Sequence, residues 1–209
     1  SLLEECPRCF WLAVIKKIKR PEGIFPSLPN GMDKKIKEHF DRYRNKNELP
    51  PELKKHDLDV ELFKDTAKLD IWRNNRRGIE YLDKTSGVIL YGAVDDMLEK
   101  DGRLIVIDFK TRGFDLKEDT HHFYQDQLNI YTFLLQKNGY KTEDYAYLLF
   151  YMPEKILETG EFVFKTELIK MNINVEHAER LFQKAVKVLN EEMPKADEEC
   201  LFCNYKNGK

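Results

Sequence analysis

The chain has 209 residues, 42% of them hydrophobic and 12% aromatic, which is enough for one substantial buried core. Its longest apolar runs, such as Tyr145 to Met152, are too short to span a bilayer as a helix and no signal-like pattern opens it, so one cytoplasmic domain over residues 1–209 is expected. A net charge of -2 excludes a global pull toward a polyanion, and any phosphate binding must come from local clusters: Lys16, Lys17, Lys19 and Arg20; Lys34, Lys35 and Lys37; or Arg73, Arg76 and Arg77. In a chain that is 34% charged, such clusters are ordinarily solvated faces.

In chain order, residues 1 to 18 read as helical, and Pro21 to Pro29 reads as a proline-punctuated loop ending in the turn pair Asn30-Gly31. A helix is expected from Asp33 to Tyr43, with Ile36, Phe40 and Tyr43 on one face, before the break at Pro50-Pro51. Residues 52 to 75 give no firm periodicity. From Gly78 the period shortens to two, predicting strands at Ile79 to Lys84, Val88 to Glu99 and Arg103 to Thr111 as a meander. A helix at His121 to Lys137, strands at Tyr145 to Met152 and Phe162 to Met171, and a helix at Val175 to Glu192 capped by Asn174 complete the order.

The pair Asp101-Gly102 between two alternating strands signals a two-residue type I′ hairpin, because both central residues of that turn need positive φ. Lys100 then pairs with Arg103, and each outward step keeps the paired numbers summing to 203, which sets Asp95 opposite Asp108. Opposed carboxylates on one face, with Cβ atoms roughly 5 Å apart, repel unless a cation lies between them. Lys110 shares the face of Asp108, and Ala93 opposite it is small. Asp96 points to the other face, among Leu98, Ile105, Ile107 and Phe109 or toward that sheet's edge. A structural Asp–Lys ion pair is the rival reading of this convergence.

The cysteines form two C-x-x-C pairs, Cys6/Cys9 and Cys200/Cys203, at opposite ends of the chain. Together they supply the four thiolates that a zinc ion or an iron-sulfur cluster requires. Such a site would join the terminal segments and close the long loop between them.

Gly92-Ala93-Val94-Asp95, Ile107-Asp108-Phe109-Lys110-Thr111 and Gln127-x-x-x-Tyr131, in that order and spacing, resemble the motifs of the PD-(D/E)XK nucleases, specifically the RecB-like branch that includes the CRISPR-associated exonucleases. Cys6-Pro7-Arg8 is also similar to this branch. The resemblance implies an α/β fold with a restriction-endonuclease-like core, a central mixed sheet flanked by helices. It also implies hydrolysis of DNA phosphodiester bonds with magnesium or manganese, as a RecB-like exonuclease in repair or foreign-DNA processing. Asp95, Asp108 and the main-chain carbonyl of Phe109 would hold the ion. Lys110 would orient or deprotonate the attacking water, and Gln127 and Tyr131 would touch Lys110 or the DNA backbone.

Expected partners are DNA, single-stranded or with free ends, and proteins of a repair or defence complex, with no membrane. Where the branch carries a histidine four residues after a glycine in the preceding helix, Lys35 stands here, and Glu38 or His39 are the substitutes considered. Iron-sulfur members of the branch also join the two ends of the nuclease domain, which points to a [4Fe-4S] cluster at the four cysteines with Zn2+ as the alternative. The branch members divide their cysteines one and three, whereas this chain divides them two and two. Two other functions remain open: a nucleic-acid-binding or scaffolding module with little catalysis, and a redox protein using its C-x-x-C pairs.

Overall fold

The computed structural model describes residues 1–21, 23 and 26–206. Helices α1 (Leu2–Glu5) and α2 (Pro7–Ile15) are followed by α3 (Ser27–Arg44), the short α4 (Pro51–Lys54), strand β1 (Glu61–Leu62) and α5 (Thr66–Trp72). Strands β2 (Ile79–Leu82), β3 (Ile89–Gly92), β4 (Asp96–Lys100) and β5 (Arg103–Thr111) come next. A 3-10 turn at Thr120–Tyr124 leads into α6 (Gln125–Lys137), then β6 (Tyr145–Ile156), β7 (Phe162–Asn172), α7 (Val175–Asn190) and α8 (Leu201–Lys206).

The main sheet has the order β1-β4-β5-β6-β7 and is mixed, since β5 and β6 run parallel while the other pairs are antiparallel. The parallel step is possible because α6 carries the chain back across the sheet between β5 and β6. Period-two alternation in β5 sends Ile105, Ile107 and Phe109 to one side, where they pack with Ile36 and Phe40 of α3. Leu104 and Val106 go to the other side and meet Leu128, Tyr131, Leu134 and Leu135 of α6. Phe133, on the outer face of α6, packs with Ala178, Phe182 and Val186 of α7, so helices cover both faces of the mixed sheet. Among the described residues no helix is long and apolar enough to cross a membrane.

Several local expectations are revised. Asn30-Gly31 lies inside α3, not in a turn; Pro29 stands in that helix's first turn, where a missing N–H costs no hydrogen bond, and the buried Ile36 and Phe40 outweigh the helix penalty of a glycine. Part of the loop expected at Pro21 to Pro29 falls outside the described residues. The first helix is interrupted at Cys6, whose extended backbone (φ -163°) caps α2. The open stretch 52 to 75 holds α4, β1 and α5.

The expected meander is also broken. β2 and β3 form a separate two-stranded sheet, and the strand expected at Val88 to Glu99 is split at residues 93–95. The end of α5 causes the split: the Trp72 carbonyl accepts from Val94 N–H (3.1 Å), and Arg73 Nε donates to the Asp95 carbonyl (2.8 Å). Those main-chain groups are satisfied outside the ladder, so the chain turns from one sheet into the other just before β4.

Candidate active site

The hairpin register is the expected one. Asp101 and Gly102 have φ of 48° and 73°, Lys100 pairs with Arg103, and Asp96 pairs with Ile107. The ladder stops one step short of Asp95, whose carboxyl group turns toward β5. Its Oδ2 accepts from the Phe109 main-chain N–H (2.9 Å), which sets it beside Asp108. Asp108 is 2% exposed. Burial first, and then the charge of Asp95, push its pKa from 3.8 up to about 7, against the pull of Lys110. The Lys110 ammonium lies against Asp108 Oδ2, yet that buried oxygen has no aligned hydrogen bond among the described residues.

A polar relay runs from Lys110 into α6. Lys110 Nζ donates to Gln127 Oε1 (3.1 Å), and Gln127 Nε2 donates to the Tyr131 hydroxyl (2.8 Å). Gln127 and Tyr131 reach one another because they stand one helical turn apart on the same face. Burial raises the Tyr131 pKa, so the phenol stays neutral. The Tyr124 ring, at the start of α6, covers the Lys110 ammonium at 4.6 Å. All five expected polar side chains, Asp95, Asp108, Lys110, Gln127 and Tyr131, therefore converge, next to the main chain of Phe109. Tyr124 was missed, since an aromatic at that spacing reads simply as helix packing.

Helix α3 contributes Lys37 rather than either substitute considered. Glu38 pairs with Lys35 at the surface (2.8 Å), and His39 bonds Glu52 (3.1 Å), which also accepts from Tyr151 (3.1 Å). Lys37 Nζ lies 2.8 Å from Asp95 Oδ1 and 2.8 Å from Asp33 Oδ2. Burial works against its charge, but Asp95 and Asp33 outweigh it and hold its pKa above the usual lysine value. The one signal in the sequence was the basic run Lys34, Lys35, Lys37, which alone reads as a solvated face.

Asp96 is on the opposite face, as its register requires, and is fully buried. Arg44 (2.5 Å) and Arg73 (2.7 Å) hold its two oxygens, and Arg73 also grips Asp41 at 2.9 Å. Arg73 thus leaves the expected surface cluster. It turns inward and fixes the backbone of Asp95 from behind.

The four cysteines are buried together although they come from the two ends of the chain. Their Sγ atoms lie within 4.8 Å of one another, at 3.6 Å for Cys6 and Cys203, 3.7 Å for Cys9 and Cys200, and 3.8 Å for Cys9 and Cys203. Burial raises the Cys9 thiol to about 12. Cys200 is lowered to about 6, because the N–H groups of Cys203 and Phe202 and the thiols of Cys6 and Cys9 overcome its burial. Arg20 Nη2 donates to Cys200 Sγ (3.7 Å) and lies over the Phe202 ring (4.5 Å). Four converging thiols suit a bound metal ion or cluster.

A family profile described as the PD-(D/E)XK nuclease superfamily matches residues 19–207. No curated protein matches the chain. A solved structure titled "Crystal structure of SSO0001" is 16% identical, with 100% of this chain and 93% of that one covered; its TM-score of 0.35 adds nothing to the fold assignment. The profile runs through α3, both strands of the hairpin and α6, the elements that assemble Asp95, Asp108 and Lys110, and the chain belongs to the PD-(D/E)XK nuclease superfamily.

Proposed function

We propose that the protein is a metal-dependent deoxyribonuclease of RecB-like type, acting as an exonuclease on DNA that is single-stranded or has free ends, in repair or foreign-DNA processing. The observation that carries this reading is the placing of Asp95 beside the buried Asp108 on one face, with the Lys110 ammonium against Asp108 Oδ2 and the Phe109 N–H on Asp95 Oδ2. Such a pair holds a proton or a cation, because two adjacent carboxylates are not both charged without compensation. The donor set fits a hard divalent ion, which takes oxygen ligands. Asp95 and Asp108 would hold it, with the carbonyl of Phe109 completing the set.

When bound, magnesium or manganese supplies an activated water and charge neutralisation at the phosphate. The chain's own groups do the rest. Lys110 Nζ, beside Asp108, orients the attacking water and faces the charge that builds on the phosphate oxygens. Gln127 holds that ammonium in place, and the neutral Tyr131 hydroxyl holds Gln127. The test is incubation of purified protein with end-labelled single- and double-stranded DNA in manganese, magnesium or EDTA. Cleavage that requires the divalent ion is expected. No cleavage under any of these conditions would leave only a binding or scaffolding module.

For the cysteine site, the sulfur spacing supports the zinc alternative over [4Fe-4S]. Four sulfurs bound to one ion at about 2.3 Å stand about 3.8 Å apart at tetrahedral angles, close to the 3.6–3.8 Å separations found. A four-iron cluster is held by cysteines on separate irons, which requires wider spacing. The site's role is structural, tying the terminal segments together.

A further inference from the structure

The metal-ligand side of the candidate site offers Asp95 and Asp108 as its acidic side-chain donors. Among the described residues the only group of three or more His, Cys, Asp or Glu side chains arranged to hold a metal is the cysteine cluster, so Asp95 and Asp108 have no third such partner. Helix α3 instead directs an ammonium group there. Asp95 Oδ2 is engaged by the Phe109 N–H, which leaves Oδ1 as the freer oxygen, and Lys37 Nζ lies 2.8 Å from it. An ammonium and a divalent ion on the same carboxylate oxygen repel one another strongly at such distances.

Lys37 has a second anchor. Asp33, one helical turn earlier, accepts from the same Nζ at 2.8 Å. The side chain can therefore leave Asp95 without its charge becoming uncompensated. Lys37 is 20% exposed and Asp33 39%, so the ion pair is partly open to solvent and accessible to a bound polyanion.

We propose that Lys37 is a displaceable cation, neutralising Asp95 until a divalent ion binds and then, anchored by Asp33, contacting the DNA phosphate that the ion receives. This inference rests on the nuclease reading above. It gives α3 a substrate role in addition to packing: metal and Lys37 compete for Asp95, then cooperate on one phosphate. Lys37 is thus a phosphate-binding residue that also tunes metal affinity.

The test uses the 209-residue chain, with manganese alone as the first probe and a labelled single-stranded oligonucleotide in calcium as the second. Lys37→Met keeps the length of the side chain and removes the charge. It is expected to tighten manganese binding about tenfold, by removing the competing ammonium. The slope of log affinity for DNA against log salt should fall by about one, as for one lost phosphate contact. Lys37→Arg should keep the wild-type slope. Circular dichroism and melting temperature confirm that each variant is folded.

Manganese binding that is unchanged or weaker in folded Lys37→Met overturns the proposal and makes Lys37 a positioning residue for Asp95. An unchanged salt slope overturns it equally. Asp95→Asn separates the two readings. If it binds manganese as well as wild type does, the metal site itself is wrong and both readings fail; if it loses manganese while Lys37→Met behaves as wild type, only the Lys37 proposal fails.

Discussion

Gly92 and Tyr131 fit together only because the glycine has no side chain: a Cβ at Gly92 would lie 2.8 Å from Tyr131 Cε1 and 2.9 Å from Cδ1. The last residue of β3 thus seats the ring whose hydroxyl ends the relay from Lys110. Gly92→Ala should cost about 1–3 kcal/mol through overpacking, read as a lower denaturant midpoint, and should slow DNA cleavage. Gly92→Ala combined with Tyr131→Leu should recover stability but not activity. If Gly92→Ala is as stable and active as wild type, the contact has no consequence.

Asp95 and Asp96 are chemically identical neighbours in different surroundings. Asp95→Asn should abolish cleavage and manganese binding as strongly as Asp108→Asn does, while leaving the fold intact. Asp96→Asn should leave manganese binding near wild type but cost about 3 kcal/mol, since Arg44 and Arg73 would lose their buried counter-charge. Calorimetric manganese titration and urea unfolding of both variants check this. An inactive, fully stable Asp96→Asn with an active Asp95→Asn would reverse the assignment.

Lys110 should matter to chemistry more than to ion binding. Lys110→Ala is expected to hold manganese affinity within a few fold and to cut single-turnover cleavage by about a hundredfold, the scale of losing one electrostatic stabiliser. Equal losses in both measurements would make it a structural counter-ion of Asp108.

Asp108 also predicts a pH dependence. Its folded pKa of about 7 lies above its ordinary value of 3.8, so the folded state favours the protonated acid. Its contribution to stability is full below about pH 4 and is lost as pH rises to about 7. In EDTA, wild type should therefore lose stability relative to Asp108→Asn across that window and change no further above it. Manganese binding to wild type should tighten over the same range, because the proton must leave first. A stability difference that stays constant between pH 4 and 7 would show that Asp108 is charged throughout.

Metal analysis of anaerobically purified protein should find zinc near one per chain, and Cys200→Ser should lower the melting temperature. Iron with a brown colour and broad absorption near about 400 nm would select the [4Fe-4S] cluster instead. Absence of both elements would remove the cysteine site.

The sequence by itself determined the hairpin and much of the candidate site. Positive φ at Asp101 and Gly102 is a local demand, and period-two alternation propagates it along both strands, so the faces of Asp95, Asp96, Asp108 and Lys110 follow by counting. The one-turn spacing of Gln127 and Tyr131 is equally local. Tertiary structure decided the rest. The turn signal at Asn30-Gly31 yielded to the burial of Ile36 and Phe40 on the sheet, and the strand before Asp95 broke because Trp72 and Arg73 took its main-chain partners. That Lys37, and not Glu38 or His39, reaches Asp95 depends on how α3 is rotated against β5, which is set by packing between residues distant in sequence. No local pattern encodes that rotation, because neighbouring positions on a helix differ in the direction they face and only the fitted core selects which one meets Asp95.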